Sequence, residues 1–174
     1  MIKVIGTSFA LLSALAALMP TPAYCQEKRV SFDGYGLARI GMSRGDLEKA
    51  LGVNLTKDNM TEDPQSCEVV APSKGYSGVE YLLIDRKLAR IDISSEKIKT
   101  VSGAQIGNSK SSIIALYPSR VTVTPHFYTA PDGSYLTMLS RDKTRGIRFE
   151  TDLGKVTRYY VGTTEAIQYV EGCQ

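Results

Sequence analysis

The chain has 174 residues, 43% of them hydrophobic and 22% charged, with 21 basic side chains against 18 acidic ones. That is the composition of an ordinary folded protein, and its near balance of charge excludes the concentrated basic face of a nucleic-acid binder. A single histidine excludes a multi-histidine metal site and three cysteines exclude a four-cysteine one, so no metal or other cofactor is expected.

Residues 1–25 read as an export signal. Lys3 precedes an apolar run from Val4 to Met19, and Pro20 and Pro22 then break any helix before a small-residue cleavage region. The run is shorter than the ~20 residues that cross a bilayer comfortably, and no second run of that length follows. The expected mature chain therefore has no transmembrane segment and works in the periplasm or outside the cell. Lipidation at Cys25 is the alternative, but Pro22 three residues ahead and Tyr24 immediately ahead suit a lipoprotein signal poorly. With Cys25 removed, Cys67 and Cys173 remain as an even pair in an oxidising compartment, and a disulfide between them is expected. The chain-entropy model values a loop of that length at ~4–5 kcal/mol.

In the mature region, 29–33 and 37–40 read as weak strands. Ser43, three residues before Asp46, predicts a capped helix start; Leu47, Ala50 and Leu51 follow at helical spacing, and Gly52 stops the helix. Residues 54–66 are polar and predict a loop. A short strand over 67–70, a turn-rich connection over 71–78 and a hairpin of 79–84 with 88–93 come next. In its second arm Leu88, Arg90 and Asp92 alternate with Ala89, Ile91 and Ile93, which predicts one buried and one solvated face.

The second half follows the same order. Ser109 caps a helix carrying Ile113, Ile114 and Leu116 and ended by Pro118, and strands are expected over 121–128, 134–139, 146–150 and 155–161. Pro125 marks the first of these as an edge strand or a bulge. Residues 40–52 match 106–118, and the hairpin 85–94 matches 152–162 with Lys87 against Lys155 and Arg90 against Arg158. The expectation is α+β: two tandem modules, 26–98 and 99–174, each a short helix followed by an antiparallel meander, the second with a C-terminal tail.

Ile40-Gly41-Met42-Ser43 followed by Leu47 and Leu51-Gly52 resembles the helix opening of the SmpA/OmlA (BamE-like) envelope domains, and Ile106-Gly107-Asn108-Ser109 keeps the glycine and the cap. Two such domains in one exported chain also resemble the two-repeat β-lactamase inhibitor proteins. The resemblance implies helices packed on an antiparallel sheet whose concave face meets a protein. No functional residue carries over from either relative.

Catalytic motifs are absent. His126 lies beside Phe127 and Tyr128, where a structural role is expected. Asp85 and Asp152 sit in hairpin turns that read as equivalent, where aspartates bond local backbone donors. Asp58, Glu62 and Asp63 are too loosely spaced for a calcium loop. The reading is no enzyme. Two features suit binding. Arg141, Lys143 and Arg145, with Arg148 beyond, concentrate positive charge at a hairpin tip and could touch envelope polymers or an acidic partner. The ten tyrosines with no tryptophan include Tyr159 and Tyr160, adjacent in a strand, of which at least one is expected to face solvent. The function expected is recognition or inhibition of a protein partner through a sheet face. An envelope-assembly or surface-maintenance scaffold and a glycan-binding protein are the alternatives.

Overall fold

Strand dominates what the computed structural model describes, residues 28–57 and 66–173. The segment expected to be an export signal, Cys25, Asp58, Glu62 and Asp63 lie outside the described residues. The fold is mixed α and β, mostly strand. Three short strands, β1 (Val30–Ser31), β2 (Gly34–Tyr35) and β3 (Ala38–Arg39), make a small antiparallel sheet. Then come α1 (Arg44–Leu51), β4 (Leu55–Lys57), β5 (Cys67–Pro72), β6 (Val79–Ile84) and β7 (Lys87–Ile93). After them follow α2 (Lys110–Leu116), β8 (Thr122–Pro125), β9 (Ser134–Leu139), β10 (Arg145–Asp152), β11 (Lys155–Thr163) and a 3₁₀ turn, Ala166–Gln168. Strands β4 to β11 form one antiparallel sheet in the order β4-β5-β6-β7-β11-β10-β9-β8.

Both helices begin as their sequences dictate. The Ser43 hydroxyl oxygen accepts from the Asp46 N–H at 3.2 Å and that of Ser109 from Ser112 at 3.1 Å, each satisfying an orphan helix donor. Gly52 closes α1 in the left-handed conformation at φ 67°. Each cap is also tied to a hairpin. Gly41 N–H donates to the Leu88 carbonyl and Leu88 N–H to that of Met42; Gly107 and Val156 do the same, with Asn108 as the return acceptor.

Four expectations are corrected. Residues 55–57 are not loop: Leu55, Thr56 and Lys57 pair with Pro72, Ala71 and Val70 as an edge strand. The strand expected over 121–128 ends at Pro125, where the missing N–H suits the outermost position that β8 holds. Asp85 and Asp152 are not equivalent, since Asp85 is a turn residue at φ 49° whereas Asp152 still pairs with Lys155 and Leu153 takes the turn position. The polar face of β7 is not solvated, because Arg90 is buried and Asp92 nearly so.

The core fills the space between the sheet and the helices. Leu47 and Leu51 of α1 and Ile113 of α2 pack with Tyr81, Ile91, Ile93, Leu136, Met138, Phe149, Tyr159 and Val161. Strand alternation assigns those sheet residues to one face and Arg90, Asp92, Arg148, Glu150, Arg158 and Tyr160 to the other. Cys67 and Cys173 form a disulfide. Among the described residues no helix is long and apolar enough to cross a membrane.

Candidate functional site

The face turned away from the helices carries a row of polar side chains across the centre of the sheet. Glu80 pairs with Asp92, Asp92 with Tyr160, Tyr160 with Arg148 and Arg148 with Thr137, so one side chain from each of five strands stands in line. The neighbouring row sets Arg158 opposite Glu150 and Glu150 opposite Tyr135. Directly opposed residues sit within reach of each other's side chains, so the register itself assembles the cluster.

Asp92 is shared by two arginines. Its Oδ2 accepts from Arg90 Nε and its Oδ1 from Arg158 Nη2, both at 2.9 Å. Arg158 Nε also stands 3.7 Å from Glu150 Oε2. Both guanidinium groups lie over the Tyr160 ring, Arg90 at 4.6 Å and Arg158 at 5.7 Å from its centroid, and Arg148 lies 4.8 Å over Tyr135. Such contacts strengthen where the cation has lost water. Burial alone would lower the Arg158 pKa, but Glu150 and then Asp92 outweigh it and hold it above the usual value. The Tyr160 pKa is raised, first by burial and then by the Glu150 carboxylate. Its hydroxyl is buried and has no hydrogen bond of normal geometry.

His126 is built into this face. Its ring stacks on Tyr135 at 4.5 Å, its Nδ1 accepts the N–H groups of Tyr128 and Thr129, each at 3.2 Å, and its Nε2 faces Glu150 Oε2 at 3.4 Å. That pattern places the proton on Nε2 and occupies the Nδ1 lone pair with two backbone donors. Cys67, held in its disulfide, has no thiolate to offer. Among the described residues no group of three His, Cys, Asp or Glu is placed to hold a metal ion.

The rim is aromatic and mostly open. Phe127 is 72% and Tyr128 58% exposed. The Tyr128 hydroxyl donates to Glu171, which connects this loop to the C-terminal segment. That segment crosses the face. Arg90 Nη1 donates to the carbonyls of Ala166 and Tyr169 at 3.1 and 2.8 Å, Arg148 donates to Gln168, and Ala166 packs against Leu82 and Ala89. Gly146 makes room for it, since a Cβ there would stand 2.3 Å from Ile167 Cδ1.

Of the residues singled out from sequence, Tyr159 and Tyr160 do point to opposite faces, but neither is exposed. Tyr159 lies in the helix-side core, where its hydroxyl donates to the Ile98 carbonyl at 3.0 Å, and Tyr160 is covered by the arginines. Arg141 and Lys143 remain exposed at the hairpin tip, while Arg145 pairs with Asp33. Arg148 is not part of the tip; it is buried on the sheet face. Sequence reasoning missed Arg90, Asp92, Glu150 and Tyr135 as a site. The available signal was charge alternating with apolar residues in the three strands β7, β10 and β11, which register then brings together.

No family model matches the chain, and neither does any curated protein. Two solved structures match parts of the chain. The uncharacterized protein yfeY from Escherichia coli matches 78% of this chain and 99% of its own at 14% identity, with a TM-score of 0.50. An extracellular protein containing a SCP domain from Bacillus anthracis str. Ames matches 74% of this chain at 13% identity, with a TM-score of 0.48, and the match spans 45% of that protein.

Proposed function

We propose that this is an exported, non-enzymatic binding protein that recognises a protein partner through the charged, aromatic-rimmed face of its sheet. The observation that carries the reading is the cluster of buried Arg90, Arg148 and Glu150, nearly buried Asp92 and half-exposed Arg158 against Tyr135 and Tyr160. Buried ion clusters are a costly way to stabilise a fold, since apolar side chains of similar size often serve as well or better. Arginine and tyrosine, by contrast, dominate the energetics of protein interfaces. Exposed Phe127 and Tyr128 at the rim supply the rigid apolar area that such a surface needs. The Cys67–Cys173 disulfide suits an oxidising compartment, in keeping with the reading of residues 1–25 as an export signal.

The architecture is proposed to be two tandem modules, 26–98 and 99–174, related to the BamE-like domains and to the two-repeat inhibitor proteins. The shift that takes Lys87 to Lys155 also exchanges the two β7–β11 pairs Ile91–Val161 and Ile93–Tyr159 and leaves Asp92–Tyr160 in place. A two-fold relation between the halves accounts for that register. The recognition surface then straddles their junction, as a concave sheet made from both halves would.

The test is capture of a partner from secreted and envelope extracts by the mature, oxidised chain, alongside a Phe127→Ala, Tyr128→Ala double variant. A stoichiometric partner retained at least about tenfold less by the variant is expected, because removing interface anchors typically costs more than 1.4 kcal/mol. No stoichiometric partner, or equal retention by both baits, would overturn the reading.

A further inference from the structure

The segment after β11 is fastened at both ends and laid across the proposed recognition face. At its start Thr164 N–H donates to the Thr144 carbonyl and the Thr164 hydroxyl to that of Lys143. At its end Cys173 is bonded to Cys67 on β5. Its middle is bonded to itself, Gln168 N–H to the Glu165 carbonyl, Tyr169 N–H to that of Ala166 and the Tyr169 hydroxyl to the Glu165 carboxylate. Beneath it lie Leu82 and Ala89.

The two arginines that hold this segment have partners on both sides. Arg90 bonds Ala166 and Tyr169 in the segment but also Asp92 in its own strand. Arg148 bonds Gln168 in the segment but also Thr137 on β9. Lifting the segment therefore leaves neither guanidinium without an acceptor, so the penalty of an abandoned buried charge does not arise. The segment's own turn bonds survive its departure as well.

We infer that residues 164–173 are a redox-latched strap over the Arg90 and Arg148 side of the sheet face, with Cys67–Cys173 as the latch, which leaves Arg158, Phe127 and Tyr128 accessible while closed and adds the covered side when open; this deepens, and rests on, the reading of that face as a recognition surface. An external dithiol opens the latch. Cys67 and Cys173 each leave as a thiol, taking up two electrons and two protons together, while the dithiol closes to its own disulfide. With its far end free, the strap is held by Arg90, Arg148, the Tyr128–Glu171 bond and the packing of buried Ala166 and Ile167, and its opening exposes Arg90, Arg148, Leu82 and Ala89 to a partner.

The test needs no partner, so its failure is separable from failure of the capture. The full chain is treated with p-hydroxyphenylglyoxal in three forms: oxidised, reduced with dithiothreitol, and carrying Cys173→Ser. Modification at each arginine is read by peptide mass spectrometry, with exposed Arg141 as the reference and amide exchange of β6, β7, β10 and β11 followed in parallel. The strap predicts that Arg90 and Arg148 react at least about tenfold faster in the reduced and Cys173→Ser forms, Arg141 unchanged and the strand amides still protected, as local opening requires. Unchanged rates at Arg90 and Arg148 would overturn it. So would faster rates that appear only together with loss of strand protection, since the disulfide would then staple the whole fold.

Discussion

Tyr159 and Tyr160 are neighbours in one strand, fully buried to the same degree, and held there by different physics. Tyr159 stacks on Phe149 at 5.0 Å within an apolar core and spends its hydroxyl on the Ile98 carbonyl. Tyr160 lies under two guanidinium groups, and its buried hydroxyl has no hydrogen bond of normal geometry. The helix-side face is apolar and close-packed, the kind of surface that makes a fold. The opposite face is buried by charge, π-contact and a crossing segment, a costlier arrangement that folding alone does not demand. Equal exposure therefore conceals unequal physics.

The difference between the faces can be broken from either side. The largest effect belongs to the core: Phe149→Ala, between Tyr117 and Tyr159, should cost about 3–5 kcal/mol in urea denaturation. Cys173→Ser should cost about 2–4 kcal/mol, the usual measured loss for a disulfide and less than the chain-entropy model alone gives. On the charged face, Asp92→Asn leaves Arg90 and Arg158 without their shared carboxylate and should cost about 1–3 kcal/mol. The two tyrosines sharpen the contrast further. Tyr159→Phe should lose about 1 kcal/mol with its hydrogen bond, whereas Tyr160→Phe, which removes an unsatisfied hydroxyl, should be neutral or slightly stabilising.

The smallest effect lies at the hairpin tip. The Ser140 hydroxyl first, and the Thr144 N–H next, hold the exposed Asp142 carboxyl down at about 2. A folded-state pKa below the unfolded one stabilises above the ordinary carboxylate range, and the contribution is lost as pH falls through about 2. The melting-temperature gap between the native chain and Asp142→Asn should therefore be present at pH 5 and close towards pH 2.

Local chemistry was legible. Ser43, Ser109 and Gly52 announce the helix ends, Asp85-Arg86 and Leu153-Gly154 the hairpins, and the expected pairing of Cys67 with Cys173 is the disulfide that forms. What sequence could not disclose depends on contacts far apart in the chain. Arg90 meets Tyr169 and Arg158 meets Asp92 only once the sheet order is set. For the same reason Arg90 read as a solvated charge and Tyr160 as a possible contact residue, because alternation tells which face a side chain takes and not what covers it. Strand β4 escaped notice because three residues in a polar stretch become a strand only by pairing with β5.

The central claim is that the helix side builds the fold while the charged side recognises a partner, and one paired capture tests it most directly. The oxidised chain is used as bait beside Arg158→Glu, on the charged face, and Lys49→Glu, on the exposed surface of α1. The account predicts a stoichiometric partner held by the native chain and by Lys49→Glu and lost by Arg158→Glu. A partner lost by Lys49→Glu and kept by Arg158→Glu, or indifferent to both reversals, would contradict it.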